Sequence, residues 1–350
     1  MKLEFHQIGL FDDSPEHEAV RTELSCGCSP AVDGVTDIRD KRGHMKATMI
    51  KALAAATVAG VLLSSEAMAQ GASRLDKIRE SGSITLGYPE TSVPFAYLDG
   101  NQKPIGYTVE ICEQVVQAIK TALKLPKLEI RYNPITSATR IQLLANGTID
   151  LECGNTTNNV ERHKLVVFAP TTFVAQVVLV ARKDGGVDVN DPASFRGKAI
   201  AAQAGGQTFK VITLINAKEN LGITVVPAKD TAETFLLVST GRVAGTANDD
   251  GLAFATVASS RTPDEFLIGS KSLETAPYGI VQPKDDPAFK KMVDDAVIDL
   301  MKSGQVAALY DKYFNSPIPP HGLNLKFPMS AALKRALANP TDSGDPAVYE

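Results

Sequence analysis

Among residues able to do chemistry, two short polar clusters stand out: Asn155-Thr156-Thr157 and Asn248-Asp249-Asp250. Each follows an apolar run of strand type, Ile149–Cys153 in the first case and Val243–Ala247 in the second. Amide, hydroxyl and carboxylate side chains gathered there suit recognition of a small polar molecule, because open α/β sheets bind ligands beyond the carboxyl ends of their strands. Two such clusters on separate lobes could face each other across one cleft. Acid–base catalysis would need an ionisable group in that cleft, and Glu152 and Asp249 are the acids placed for it. Other chemistries lack their motifs. No glycine loop ending in Lys-Ser/Thr occurs, and Gly205-Gly206 lacks the dinucleotide spacing. Beyond residue 70 there is no His-Glu-x-x-His, nucleophile elbow or Cys-x-x-Cys. His163 and His321 have no metal-ligating neighbours in sequence. No cofactor or metal is expected, and no enzymatic activity.

The elements that must position these clusters follow from periodicity. Ser83–Gly87 reads as a strand. Val109, Cys112, Val115, Val116, Ile119 and Leu123 recur at helical spacing up to the stop at Pro126. Leu128–Tyr132 is the next strand, Ser137 to Asn146 a helix closed by Gly147, and Ile149–Cys153 a buried strand. Ala175–Arg182 is an almost continuous apolar strand, long enough to leave one lobe for another. The pattern then restarts: strand Lys198–Ala202, helix from Gln207, strand Ile223–Pro227, helix Ala232–Thr240, strand Val243–Ala247. Gly279–Pro283 reads as a return crossing, Asp286–Phe314 as a long amphipathic helical region, and the proline-rich tail as a wrap around the first lobe that frays near its end. Strands alternating with helices mark an α/β fold. The expectation is two lobes joined by two crossing hinge strands, each a mixed, mostly parallel sheet flanked by helices. The first lobe takes residues 70–180 and 280–350, the second 181–279.

With 350 residues, 44% of them apolar, the chain can bury two modest cores. A net charge of −4 without runs of one sign gives no footprint for nucleic acid or an anionic membrane. Inside the chain, Met45-Lys46 and Lys51 precede an apolar run, Ala52–Leu63, and then Ala67-Met68-Ala69. Basic start, short apolar run and small-x-small site make residues 45–69 a secretory signal peptide cleaved after Ala69. The run is too short for a bilayer, which needs about 20 residues. Residues 1–44 are then expected to be a disordered extension from a misassigned start, and the mature chain a periplasmic monomer. Cys112 on an apolar helix face and Cys153 at a strand end are expected to be buried free thiols.

Several segments carry a resemblance to a known family: Leu75-Asp76-Lys77-Ile78, Ser92-Val93-Pro94-Phe95, Ile135-Thr136-Ser137, Arg140, the run Glu152 to Arg162, Asp249-Asp250 and Asn315 to Pro320. Together they resemble the glutamate/aspartate-binding proteins of bacterial ABC importers. The resemblance implies a type II periplasmic-binding-protein fold that closes over an L-amino acid, which a membrane permease then receives. It implies that Arg162 grips the ligand α-carboxylate, as a guanidinium fork suits, assisted by Thr156. Asp249 would accept from the α-ammonium, with Asn155 contributing its backbone carbonyl and Asp250 capping the following helix. Ser137 and Arg140 would reach the ligand side chain.

This chain departs from the family pattern at three places. Pro89 stands where the resemblance places a second arginine, and Thr231 where it places a histidine. Gln207, followed by Thr208, stands where it places a threonine. The α-amino-acid head site is thus intact while the side-chain pocket is less cationic. Glutamate or aspartate is the expected ligand, with glutamine, asparagine or a broader polar range as the alternative. A dehydratase-like enzyme on the same scaffold is the rival from another class.

Overall fold

The computed structural model describes residues 73–350; the expected signal peptide and the residues before it lie outside the described residues. Two main sheets organise the chain. The first has the order Glu129–Pro134, Ser83–Tyr88, Leu151–Glu152, Val281–Pro283, Val166–Phe168, and its first three strands run parallel. The second has the order Thr224–Ala228, Ala199–Gln203, Gly245–Asp249, Phe173–Arg182, Phe266–Ile268, again with the first three parallel. The strand Glu274–Tyr278 also pairs, antiparallel, with Phe173–Arg182. The two sheets therefore repeat one topology: a first strand, a second on one side of it, and a third on the other.

Helical spacing is borne out where the apolar stripe is strong. The helix Tyr107–Ala122 buries Cys112, Val115, Val116 and Ile119 against the first core, and Val109 against Tyr88 and Ala96. The expected helix from Ser137 is shorter, spanning Arg140–Ala145. Ahead of it, the Thr139 hydroxyl accepts from the Thr136 N–H at 3.0 Å, a local bond that competes with helix formation. Ser137 is thereby left on a turn. The long region after Asp286 is two helices, Pro287–Lys302 and Gln305–Phe314, parted at Gly304 in the left-handed region (φ 77°). The tail does not fray: it forms the helix Ala331–Ala338 and ends with Tyr349 buried, its hydroxyl 2.8 Å from that of Thr171.

The chain passes between the sheets twice, at residues 169–172 and 279–280. The long strand begins at Phe173, already in the second sheet, so the crossing is shorter than its apolar run suggested. The two passages are tied to each other, with Ala169 N–H donating to Ile280 O and Thr172 N–H to Tyr278 O, both at 2.9 Å. Phe173 and Tyr278 at their ends pack with Phe95, whose ring centroid lies 4.7 and 5.3 Å away. Phe314 joins the same cluster at 5.3 Å from Phe173. Both crossings are thus anchored in the first core, and the second sheet extends from that anchor.

One expectation is overturned. Cys112 and Cys153 are not free thiols; they form a disulfide with Cα atoms 6.2 Å apart, inside the span a bridge allows. Helix Tyr107–Ala122 lies across the sheet face under which Cys153 emerges, a tertiary proximity that spacing along the chain does not report. The bridge closes a separation of 41 residues. Losing it is expected to cost about 2–4 kcal/mol of stability, seen as a lower urea midpoint in reductant or in a C112A/C153A double variant; an unchanged midpoint would contradict the bridge.

Candidate functional site

In each sheet the chain switches sides of its first strand, and the residues leaving the strand ends at that switch point converge. In the first sheet Gly87 pairs with Glu152, and the chain continues through Gly154 to Asn155 and Thr156. In the second sheet Gln203 ends one strand and Asp249 the strand beside it. The carboxyl ends of both sets of strands meet in one cleft. Ser137, Arg140, Asn155, Gln207, Thr208 and Asp249 all line one narrow part of it. It opens into a wider cavity of about 350 Å³ whose wall includes Pro89, Ser137, Arg140, Gln203 and Lys229.

Three polar ties draw the loops of the two sheets together. The Ser137 hydroxyl donates to Gln203 Oε1 at 2.8 Å, and Asn159 Nδ2 donates to Gln207 Oε1 at 3.0 Å. Arg162 Nη2 donates to Gly205 O at 3.4 Å, while its Nη1 is held at 2.6 Å by Thr157 O. Lys210 and Glu161 form an ion pair at the rim. Gly205 (φ 73°) makes this approach sterically feasible, because a Cβ there would lie 2.9 Å from Ala138 Cα. Two of the sequence-identified residues are committed to protein partners: Thr231 Oγ1 accepts from Gln203 Nε2 at 2.6 Å, and Gln207 Nε2 donates to Glu274 at 2.6 Å.

Several polar groups around the cleft are buried and unsatisfied. Thr156 Oγ1, Arg140 Nε, Asp249 Oδ1, Tyr278 OH and both Glu152 oxygens have no well-aligned hydrogen-bond partner among the described residues. Such groups are costly unless they are paired, and here they concentrate around one cleft. Asp249 does not cap the helix that follows it. Asp250 accepts from the Gly251 and Gln176 N–H groups instead, at 2.8 and 3.2 Å.

Burial dominates the electrostatics. It pushes the Asp249 carboxyl up to about 7, with the Tyr278 hydroxyl and Arg140 opposing. It pushes Arg162 down to about 9, helped by repulsion from Arg140 and resisted by Glu152 and Asp249. Arg140 is only 4% exposed and its pKa is lowered by desolvation, against the pull of Glu152, Tyr278 and Asp249. Two guanidinium groups and two carboxylates thus act on one another around this cleft, Arg140 and Asp249 lining it directly, a set that matches a zwitterion.

Gln203, Lys229 and Tyr278 were not singled out in the sequence. Gln203 ends its strand two residues before Gly205-Gly206, a position that points to the cleft once the topology is known. Lys229 precedes a helix N-cap, Asp230, and Tyr278 lies in a strand whose destination only the fold reveals.

The fold agrees with that of known proteins. The chain belongs to the bacterial extracellular solute-binding proteins, family 3, whose family model matches residues 84–316. It is 41% identical over 291 residues to the L-glutamate/L-aspartate-binding protein of Pseudomonas aeruginosa, covering 83% of this chain and 96% of that protein. It is 38% identical over 290 residues to the glutamate/aspartate import solute-binding protein of Escherichia coli K12, covering 83% and 95%. Among solved structures, a mutant of ArgBP from T. maritima superposes with a TM-score of 0.62 at 26% identity, covering 68% of this chain and 98% of that one.

Gly154 tests how tightly the site is built. A Cβ there would stand 2.5 Å from Glu152 Oε1 and 2.8 Å from Pro89 Cδ. Gly154→Ala is therefore expected to destabilise the protein by about 1–3 kcal/mol through overpacking. Urea denaturation measures it, and a wild-type midpoint would contradict the geometry.

Proposed function

We propose that this chain captures an L-amino acid, glutamate or aspartate first among them, and delivers it to the membrane permease of an ABC importer. The observation that carries the reading is the cleft between the two strand-end clusters, lined by Arg140, Asn155, Thr208 and Asp249, with Arg162 held nearby by Thr157 O and Gly205 O. Its length-spanning similarity to two proteins named for glutamate and aspartate supports the ligand. In this reading Arg162 and Thr156 hold the α-carboxylate, while Asp249 and the Asn155 carbonyl hold the α-ammonium. Arg140 and Ser137 address the side chain, with Gln203, Thr208 and Thr231 shaping the opposite wall and Gln207 bracing the loop of Asn159. The first sheet with the tail and the second sheet act as lobes, divided at residues 169–172 and 279–280. The signal peptide is removed after Ala69, and the mature protein works in the periplasm as a monomer.

Glutamine and asparagine are the second reading, favoured by one observation: the cavity wall carries Pro89 where an arginine would add charge, and the Thr231 hydroxyl is engaged by Gln203. Catalysis on the same scaffold finds little support. An ancestral amino acid-binding protein described as a precursor of cyclohexadienyl dehydratase shares only the fold with this chain, at 22% identity. Persistence of the bound ligand, unchanged after long incubation, separates binding from turnover.

The reading is tested by calorimetric titration of ligand-stripped protein with the twenty L-amino acids. Saturable binding near micromolar Kd, about −8 kcal/mol, is expected for glutamate or aspartate; no binding to any amino acid overturns the reading. Arg162→Ala is expected to weaken binding by about 2–5 kcal/mol, the range for truncating one partner of a buried charge pair. Gly205→Ala should weaken it at least tenfold by obstructing closure, and unchanged affinity would contradict the close approach to Ala138. The pH dependence has a definite sign. Asp249 has a raised pKa of about 7 without ligand, and a bound ammonium lowers it. Binding of a neutral amino acid should be full above about pH 7. Below that it should fall, by up to tenfold per unit.

A further inference from the structure

Glu152 is used by none of the contacts assigned above, yet it is the most deeply buried of the ionisable groups around the cleft, at 1% exposure. It ends the third strand of the first sheet, between Gly87 on one neighbour and Val281 on the other, so neither adjoining strand offers it a charged partner. Its Oε1 lies beside Gly154, 2.5 Å from where a Cβ there would stand. Neither carboxylate oxygen has a well-aligned hydrogen-bond partner among the described residues. The groups that act on it are Arg140 from the helix Arg140–Ala145, the Thr156 hydroxyl, Arg162 beyond the loop and the Gly154 N–H. Asp249 and Tyr278, from the second sheet, reach the same Arg140.

Charge counting across this cluster gives the role. Among the four innermost groups Arg140 and Arg162 contribute two positive charges and Glu152 and Asp249 two negative ones, a sum of zero; Asp250 and Glu274 also act on Asp249, and Glu90, Lys229 and Asp230 line the wider cavity. A zwitterionic ligand with a neutral side chain leaves that balance unchanged. A ligand with a side-chain carboxylate adds one negative charge to a closed, desolvated site, where an uncompensated charge is expensive. Asp249 must stay ionised to hold the ammonium. Glu152 has no such duty, and burial already shifts its carboxyl toward the neutral form.

We propose that Glu152 is the specificity-determining counter-charge of Arg140, and that it takes up a proton from solvent when the ligand carries a side-chain carboxylate but not when that side chain is neutral. This rests on the amino-acid-binding reading above. Ionised, Glu152 balances Arg140 and leaves the pocket suited to an amide. Protonated, it releases Arg140 to pair with a carboxylate. The glutamate-to-glutamine preference is then set by pH as well as by pocket shape.

The test is calorimetry at pH 8 in buffers of differing ionisation enthalpy, with glutamate and glutamine as probes. Glutamate is expected to bind with close to one more proton taken up than glutamine, and its affinity to fall with rising pH by up to tenfold per unit. In Glu152→Gln the difference in proton uptake should vanish. Arg140 is then left unbalanced, and preference for glutamate over glutamine should rise at least tenfold at pH 8. A purely structural role for Glu152 would not produce such a gain. Equal proton uptake for the two ligands in the wild type overturns the proposal, as does a difference that persists in Glu152→Gln, or tight glutamate binding with no measurable glutamine binding. If the variant does not fold, infrared difference spectra of the wild type decide. A protonated-carboxyl band present with glutamate and absent with glutamine supports the proposal, and no such band contradicts it. Failure of every amino acid to bind would instead remove the underlying reading, a distinguishable result.

Discussion

The arrangement of this protein depends on four ionisable side chains, Arg140, Glu152, Arg162 and Asp249, held together away from most of the solvent. Water would solvate each of them better than the protein does, so the closed geometry is favourable only when something balances and hydrogen-bonds the group. The paired sheets, the tethered crossings and the disulfide all serve to keep these groups in register despite that cost. A small zwitterion supplies opposite charges at fixed separation, which is what two arginines and an aspartate at the strand ends can satisfy.

Rigidity and movement are divided along the chain. Phe173 and Tyr278 fix both crossings in the aromatic core of the first sheet, and the bridge between Cys112 and Cys153 fixes the start of the loop carrying Asn155 and Thr156. The C-terminal segment adds to this side. Asn158 Nδ2 donates to Asp342 O at 2.8 Å, and Thr171 N–H donates to Thr341 O at 2.9 Å, so the tail touches both the ligand loop and a crossing. At the cleft the two sheets are tied by Ser137 to Gln203, Asn159 to Gln207, Arg162 to Gly205 and the Lys210–Glu161 ion pair. The proposed closure would act through this handful of polar bonds, about crossings anchored on one side.

Much of this was legible in the sequence because it is written in local periods. The strand–helix alternation matches the α/β fold, and the polar clusters after two similar strands point to Asn155 and Asp249, which line one cleft. What the sequence concealed depends on distance in space. The Cys112–Cys153 bridge joins a helix face to a strand end. Gln203 and Lys229 enter the cavity only because the second sheet repeats the switch of the first. Thr231 and Gln207, expected from the sequence as ligand contacts, also hydrogen-bond to Gln203 and Glu274, neighbours that only the folded state brings near. The ordered tail was missed because its anchors, Thr171 and Asn158, lie far upstream.

Small-angle scattering of the purified protein with and without saturating glutamate addresses the central claim most directly, since the claim is that ligand charge holds the two sheets closed over groups that otherwise seek water. The radius of gyration should shrink on glutamate binding in the wild type and stay unchanged on adding glutamate to Arg162→Ala. Full glutamate binding with no contraction would contradict it.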